Sequence, residues 1–342
     1  MEDLDLFSSW EKQKRVAIFT HVNPDPDAIG SAVGIQWILK RKFGISSDIF
    51  YVGEVSHPQN KTLINVLSIV IKTSDEYDSD AYQKVILVDC TSQNVGIELN
   101  VDIVIDHHRT KIKPEDFEYS NMQQVGSCCS LVFDLMDKIG VGLCEEDEEE
   151  GKSVATTMLI GIKTDTNDLL SDNTADLDHM AYQRLAKCAD MTKVSAILNY
   201  PLPKYLFDIE SQALSEKNSK QINAALVSYL GVITITKRDC LPILSDKFIR
   251  MEGITTAIVF SVIEDNIEVS VRSKDVTLDV DAFCKKIFGK DFSGGKYGSG
   301  GARIPLGFFS VAQQQDEEIK EKIAEAIKSI IMAKIEKEIT GN

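Results

Sequence analysis

Carboxylate and imidazole side chains, the two kinds best able to share a hard divalent cation, recur in four short clusters of this sequence. The first is His21-Val22-Asn23-Pro24-Asp25-Pro26-Asp27, and the second is Asp89, alone after the apolar run Val85-Ile86-Leu87-Val88. The third is Asp106-His107-His108, and the fourth is Asp165 within Gly161-Ile162-Lys163-Thr164-Asp165-Thr166-Asn167. Of the five histidines, three fall here: His21, His107 and His108. Brought together, these ligands can hold two divalent ions, and two ions make phosphoester hydrolysis feasible. Each cluster alone has a plainer reading. Asp27 could cap the helix that follows it, and Asp89 could cap the turn at Thr91 and Ser92. Paired histidines are often structural. It is the coincidence of four such clusters, each after a buried segment, that favours one shared site. Pro24 and Pro26 restrict the first loop and lower the entropy lost on fixing its ligands. Neighbouring side chains point in different directions, so one of His107 and His108 could ligate while the other contacts substrate or a supporting group.

The elements that must position these residues can be read from periodicity. Val16 to Thr20 reads as a strand ending at the His21 cluster, and 27–43 as a helix with Ile29, Val33, Trp37 and Ile38 on one side, stopped by Gly44. Strands are expected at 48–52, 85–88 and 101–105, and helices at 62–71, 126–139, 151–163 and 175–190. This alternation predicts a mostly parallel sheet covered by helices on both faces. Parallel sheets place ligands outside the carboxyl ends of their strands. Three of the four clusters lie at such ends. The acidic run from Glu145 to Glu150 is expected to be the first turn of the 151–163 helix, favoured there by the macrodipole.

Pro201 and Pro203 mark a change in composition and a linker. Beyond it, strands are expected at 226–229 and 232–236, as a hairpin around Gly231, and at 256–264 and 267–271, turning at Asp265-Asn266. Helices are expected at 241–251, 280–288 and 317–339. A glycine-rich loop, Gly294 to Gly301, lies between the last two. The fold class is therefore α/β: an N-terminal parallel-sheet domain over residues 1–190, a linker over 191–222, and a smaller α+β domain over 223–342.

The bulk numbers limit the alternatives. With 342 residues, 43% hydrophobic and 26% charged, the chain has ample core for two domains. No apolar run is long enough to cross a bilayer, and the first fifteen residues lack the apolar core of a signal peptide, so cytoplasm is the expected location. Seven scattered cysteines without a Cys-x-x-Cys pair argue against a disulfide framework. A net charge of −16 suits a long duplex poorly, since that needs many basic phosphate contacts. A short oligonucleotide or small phosphate remains compatible, because bound metals or a local basic pocket override the global field. Gly151-Lys152-Ser153 is not a P-loop, as Glu146 stands where its first glycine belongs. Gly298-Ser299-Gly300 is not a dinucleotide fingerprint, because Arg303 occupies the third glycine position. His57 and His179 are assigned to a turn and to a helix surface.

The four clusters, in this order, resemble the motifs of the DHH phosphoesterase family. Its first motif is similar to His21-Val22-Asn23-Pro24-Asp25-Pro26-Asp27-Ala28-Ile29-Gly30-Ser31, and its second to Asp89. Its name-giving third motif resembles Asp106-His107-His108, and its fourth Gly161-Ile162-Lys163-Thr164-Asp165-Thr166. Val271-Arg272-Ser273 and the glycine-rich loop after it resemble the substrate-binding part of a DHHA1 domain. Together they point to the nano-RNase and cyclic-dinucleotide phosphodiesterase branch. That branch carries Gly-Gly-Gly-His where this chain has Ser293-Gly294-Gly295-Lys296. Lys296 is a flexible point charge in place of an imidazole.

The resemblance implies two manganese ions per active site, with magnesium as the other candidate. His21 and Asp25 would hold one ion, and Asp27, His107 and Asp165 the other, with Asp89 between them and catalytic. His108 would touch the scissile phosphate, as a catalytic and substrate-binding group. Arg272, Ser273, Gly295, Lys296 and Arg303 would bind substrate. The expected activity is hydrolysis of short oligonucleotides, dinucleotides or related nucleotide phosphates. Phosphoanhydride hydrolysis, as by an exopolyphosphatase or pyrophosphatase, is the alternative, and a non-catalytic metal-dependent nucleotide-binding protein is the second. A nucleotide substrate is the expected partner, with no long duplex and no membrane; a homodimer is left open.

Overall fold

The computed structural model describes residues 7–108, 110, 112–143, 149–296, 298–310 and 316–341, without the Lys296 side chain. The roles expected of Glu145 to Glu148 and of the Lys296 ammonium thus fall outside the described parts. The chain divides at Pro201 and Leu202 into two units.

The first unit is built on six parallel strands: β1 (Arg15–Phe19), β2 (Ser47–Tyr51), β3 (Lys72–Thr73), β4 (Tyr82–Val88), β5 (Ile103–Asp106) and β6 (Tyr119–Met122). They lie side by side in the order β3-β2-β1-β4-β5-β6. Its helices are α1 (Pro26–Ile38), α2 (Pro58–Leu67), α3 (Cys128–Ile139), α4 (Glu149–Asp165), α5 (Asp176–Ala186) and α6 (Met191–Leu198). Alternation of side chains along each strand builds two cores. Val16, Ile18, Ile86, Val88, Ile103 and Ile105 join the helices on one face. Ala17, Phe19, Phe50, Leu87 and Val104 turn to the other face, where Tyr77, Tyr82 and Phe117 cover them. Segments between the strands contribute to this second cover, with short 3-10 turns at 74–76, 79–81 and 114–116.

Local chemistry explains the boundaries. Asp25 caps α1 by accepting from the N–H groups of Asp27 and Ala28, and Pro26 occupies the first turn, where its missing N–H costs nothing. After Ile38 the helix widens into a π-turn, Leu39–Phe43, and Gly44 ends it in the left-handed region. The helix expected at 62–71 begins earlier, at Pro58, because His57 caps it through Nδ1.

Helices α1, α3 and α4 approach closely around one sulfur. A Cβ built on Gly30 of α1 or on Gly161 of α4 would lie 2.6 Å from Sγ of Cys129, the second residue of α3. Glycine at both positions is thus a requirement of clearance rather than of backbone freedom.

The second unit carries α7 (Lys204–Ala213), β7 (Ser219–Ile222), β8 (Ala225–Ile233), α8 (Cys240–Phe248), β9 (Thr256–Ile263), β10 (Asn266–Ser273), α9 (Val280–Phe288), β11 (Ser293–Lys296), β12 (Ser299–Pro305) and α10 (Glu317–Thr340). Its sheet has the order β11-β12-β10-β9-β8-β7, with only the β8–β9 pair parallel. Residues from α9 and α10 pack one face and residues from α7 and α8 the other.

Three expectations are corrected here. The stretch 191–222, read as a linker, holds α6, α7 and β7. The hairpin expected around Gly231 is the single strand β8, whose pairing with β9 slips between Tyr229 and Val232 where Gly231 takes a positive φ; one bulge residue mimics a turn signal. The glycine-rich stretch is not an open loop but the hairpin β11–β12, because glycines let these strands lie against α9. A Cβ on Gly300 would lie 2.7 Å from Val280 and 2.8 Å from Cys284 of α9.

Among the described residues, no helix is long and apolar enough to cross a membrane.

Candidate metal centre

All six residues expected as metal ligands converge at the carboxyl ends of β1, β4 and β5. His21 and Asp25 lie in the loop after β1, and Asp27 opens α1. Asp89 directly follows β4, and His107 and His108 follow Asp106, the last residue of β5. Asp165 ends α4. Their ligand atoms form overlapping groups, each within 4.8 Å: His21, Asp25 and Asp89; Asp27, His107 and Asp165; and Asp89, His107 and His108.

Asp89 stands between the two imidazoles. Its Oδ2 lies 3.5 Å from His21 Nε2, and its Oδ1 lies 3.2 Å from His107 Nε2. Both rings are oriented alike. Nδ1 of His21 is 3.0 Å from the carbonyl of Val22, and Nδ1 of His107 is 2.9 Å from the carbonyl of Val125. A carbonyl can only accept, so Nδ1 carries a proton, and in the neutral ring Nε2 is left with its lone pair. That lone pair faces carboxylates: Asp25 at 3.7 Å and Asp89 for His21, and Asp165 at 3.3 Å, Asp27 at 3.9 Å and Asp89 for His107.

Acceptors facing acceptors in a buried place require a positive charge among them. Asp27, Asp89 and His107 are all buried, and neither Asp89 Oδ1 nor His107 Nε2 has a hydrogen-bond partner beyond the other. Divalent ions fit this donor set: hard carboxylate oxygens, two Nε2 lone pairs, and Nδ1–H groups already fixed by backbone carbonyls.

Without an ion, protons take that place. Burial opposes charge on His21, yet its contacts with Asp25 and Asp89 outweigh this and raise its pKa to about 11. Burial likewise opposes charge on His107, and Asp89, Asp27 and Asp165 raise it to about 10. Asp27 is pushed up to about 7, by burial first and then by Asp89 and Asp165. Asp89 moves the other way. Burial alone would raise it, but the two imidazoles hold it well below the usual carboxylate range.

His108 differs from its neighbour. Its side chain is 47% exposed, and its Nδ1 lies 2.8 Å from Oδ1 of fully buried Asp106, which also accepts from the His108 backbone N–H. Asp106 therefore orients the His108 ring. The backbone is left-handed at Asp89 (φ 57°) and at Asn23 (φ 56°), where the side chain of Asn23 accepts from the N–H of Glu54. Such conformations cost of order 1 kcal/mol, least for Asp and Asn.

The support for Asp27 was not legible beforehand. Its Oδ1 accepts from Ser127 Oγ at 2.5 Å and from the Cys129 N–H at 3.0 Å, and its Oδ2 from the Cys128 N–H at 2.7 Å. The start of α3 thus faces Asp27, a hundred residues away in sequence. Ser127 lies inside the helix expected at 126–139, so nothing in its local sequence marked it as a partner of Asp27.

The expected substrate residues are distributed over one sheet of the second unit. Backbone register puts Arg272, Ser299 and Lys296 in one row across β10, β12 and β11. Nε of Arg272 donates to Asp246 at 2.6 Å. Arg303 is not in that row: it pairs with Glu268, four residues further along β10, roughly 13 Å away. Glu268 is buried and takes charge-assisted contacts from Arg238 and from Arg303, the latter at 3.6 Å. Ser273 Oγ is engaged with Thr256 Oγ1 and the Thr255 carbonyl, and the Gly295 N–H donates to Asp281 at 2.9 Å. Both groups have hydrogen-bond partners within the second unit.

Residues 15–162 match the description "DHH family, N-terminal domain". This stretch of the chain is a DHH family N-terminal domain. Every expected ligand but Asp165 lies inside this DHH domain, and Asp165 follows its end by one helical turn. Over 325 residues the chain is 33% identical to an uncharacterized protein of Methanocaldococcus jannaschii, with 94% of this chain and 64% of that protein covered. It therefore spans less than two thirds of that relative. It is 28% identical over 244 residues to a probable manganese-dependent inorganic pyrophosphatase of Streptococcus mutans, covering 66% of this chain and 74% of that protein. A solved exopolyphosphatase-related protein of Bacteroides fragilis shares the fold, with a TM-score of 0.66, 16% identity, and coverage of 96% of this chain and 97% of that one.

Proposed function

We propose that this chain is a two-metal phosphohydrolase acting on short oligonucleotides, dinucleotides or related nucleotide phosphates. One observation carries the reading: Asp89 lies between two imidazoles whose Nε2 lone pairs both face carboxylates. Manganese suits the mixed carboxylate and imidazole donor set, with magnesium as the other candidate. His21 and Asp25 would hold one ion, and Asp27, His107 and Asp165 the other, with Asp89 shared.

When bound, the ions supply Lewis acidity and an acidified water. The chain's own residues do the rest. Val22 and Val125 carbonyls hold the ring tautomers. The start of α3 holds Asp27. Asp106 fixes Nδ1 of His108, which directs its Nε2 as the contact for the scissile phosphate. In the second unit, Arg272 and Lys296 are the substrate contacts we favour, since they share one cross-strand row. Arg303 would meet a group further along the substrate.

A second reading is hydrolysis of phosphoanhydrides, favoured by the likeness to a probable manganese-dependent inorganic pyrophosphatase. The test is a manganese-dependent screen of di- to pentanucleotides, cyclic dinucleotides, bisphosphate nucleotides, polyphosphate and pyrophosphate. Nucleoside monophosphate released from a dinucleotide supports the first reading. Orthophosphate released only from polyphosphate or pyrophosphate supports the second. Binding of manganese and nucleotide without any turnover would sink both and leave a non-catalytic binding protein.

A further inference from the structure

The two ligand groups are supported in different ways. Around His21 and Asp25 the support is local: the ring is held by the adjacent Val22 carbonyl, and Asp25 caps its own helix. Around Asp27 and His107 it is distant, and it comes from one short segment, residues 125–130. The Val125 carbonyl holds the His107 ring. Ser127 Oγ and the N–H groups of Cys128 and Cys129 hold both oxygens of Asp27. Two ligands of one group thus hang from a single turn.

That turn is itself tied to a buried carboxylate. Asp178 of α5 is fully buried. Its Oδ2 accepts from the Gly126 N–H at 2.7 Å and from the Ala175 N–H at 2.7 Å, and its Oδ1 from Ser130 Oγ at 2.6 Å. Gly126 sits so tightly that an added Cβ would lie 2.7 Å from Asp178 Oδ2 and 2.5 Å from Thr166 Cγ2. Thr166 follows Asp165, the third member of the same group. Asp178 is therefore bonded on both sides of the residues that hold Asp27, and the turn is wedged against the segment that carries Asp165.

We propose that Asp178 is a positioning residue for one metal position only, the one formed by Asp27, His107 and Asp165. Among the described residues its hydrogen bonds run to Gly126, Ser130 and Ala175 rather than to these ligands. It fixes the 125–130 turn, and the turn fixes the direction of the Asp27 carboxylate and the His107 lone pair. The position formed by His21 and Asp25 has its own support and is independent of Asp178. This inference rests on the two-metal reading above.

The test is titration of the metal-free protein with Mn²⁺ alone, following the electron paramagnetic resonance signal of the free ion. The wild type is expected to bind two ions. Asp178→Ala should weaken one binding step by about 10- to 100-fold, the usual scale for a group that orients a ligand, and leave the other step unchanged. Ser127→Ala, which removes a direct donor to Asp27, should weaken the same step. Asp178→Asn keeps an acceptor for the backbone N–H groups and should recover most of the loss. Equal weakening of both steps, or no weakening in protein with a native circular dichroism spectrum, overturns the proposal. If Asp178→Ala does not fold, Asp178→Asn and Ser127→Ala decide: a step weakened by Ser127→Ala and spared by Asp178→Asn supports it, and two unaltered steps overturn it. A wild type that binds no Mn²⁺ refutes the two-metal reading instead, and does so before any variant is compared.

Discussion

Nε2 of His107 lies 3.2 Å from Oδ1 of Asp89, and neither of these buried atoms has a hydrogen-bond partner beyond that pair. Two lone pairs at that separation repel unless a positive charge lies between or beside them. The arrangement is thus built for a charge that the carboxylates do not supply, and this governs how the protein should respond to substitution, metal and pH.

Asp89→Asn keeps the shape and tolerates the left-handed backbone, but it removes the charge shared by both ligand groups. Turnover of whichever substrate the screen identifies should fall by at least about 100-fold, more than for loss of an orienting group. The far-UV circular dichroism spectrum should be unchanged. Normal hydrolysis by this variant would remove Asp89 from the site.

Metal uptake should release protons. In the metal-free protein His21 and His107 are protonated at neutral pH, with pKa values of about 11 and about 10. A ligating imidazole must be neutral, so Mn²⁺ competes with protons and its apparent affinity should rise with pH. Calorimetric titrations in buffers of different ionisation enthalpy should reveal about two to three protons released per fully loaded chain at pH 7, two from the imidazoles and a fraction from Asp27, whose pKa is about 7. A heat independent of buffer contradicts this account.

The same groups set the pH dependence of metal-free stability. His21 and His107 have raised values, so their stabilisation is complete below the unfolded pKa of about 6.5 and is lost as pH rises through 10 and 11. Asp89 has a lowered value, so its contribution is present above about 3.9 and is lost on further acidification. Urea unfolding of metal-free protein should therefore show the midpoint falling at both extremes. Saturating Mn²⁺ should flatten the alkaline fall, because neutral imidazoles then gain a ligand.

Gly161→Ala places a methyl against Cys129 Sγ, with the backbone of Asp27 at 3.0 Å. Overpacking of this kind costs about 1–3 kcal/mol. Adding Cys129→Ala vacates the sulfur and should restore part of the lost urea midpoint. A double variant no more stable than the single one would show that the sulfur is not what the methyl strikes.

Much of the site was legible because it is tied to strand ends. Asp89 and Asp106-His107 follow runs of buried β-branched residues, and a parallel sheet brings such ends together whatever the loops do. Asp25 and Asp27 could be read for the same reason, in a loop that Pro24 and Pro26 restrict. What stayed hidden depends on contacts between distant segments. Ser127 and the first N–H groups of α3 meet Asp27 only in three dimensions. Glycine misled twice in the second unit. Gly231 marks a bulge rather than a turn, and the glycines of β11 and β12 serve packing against α9 rather than an open loop. One residue type answers to both needs, and local sequence does not distinguish them.

The two glycines around Cys129 carry a consequence of their own. Asp27 rides on α1, Asp165 ends α4, and the groups that hold Asp27 begin α3. The interval between the two carboxylates is consequently gauged by the width of a single thiol. Anything that thickens this gauge, an added methyl or an oxygen on the sulfur, would spread the ligands without touching one of them.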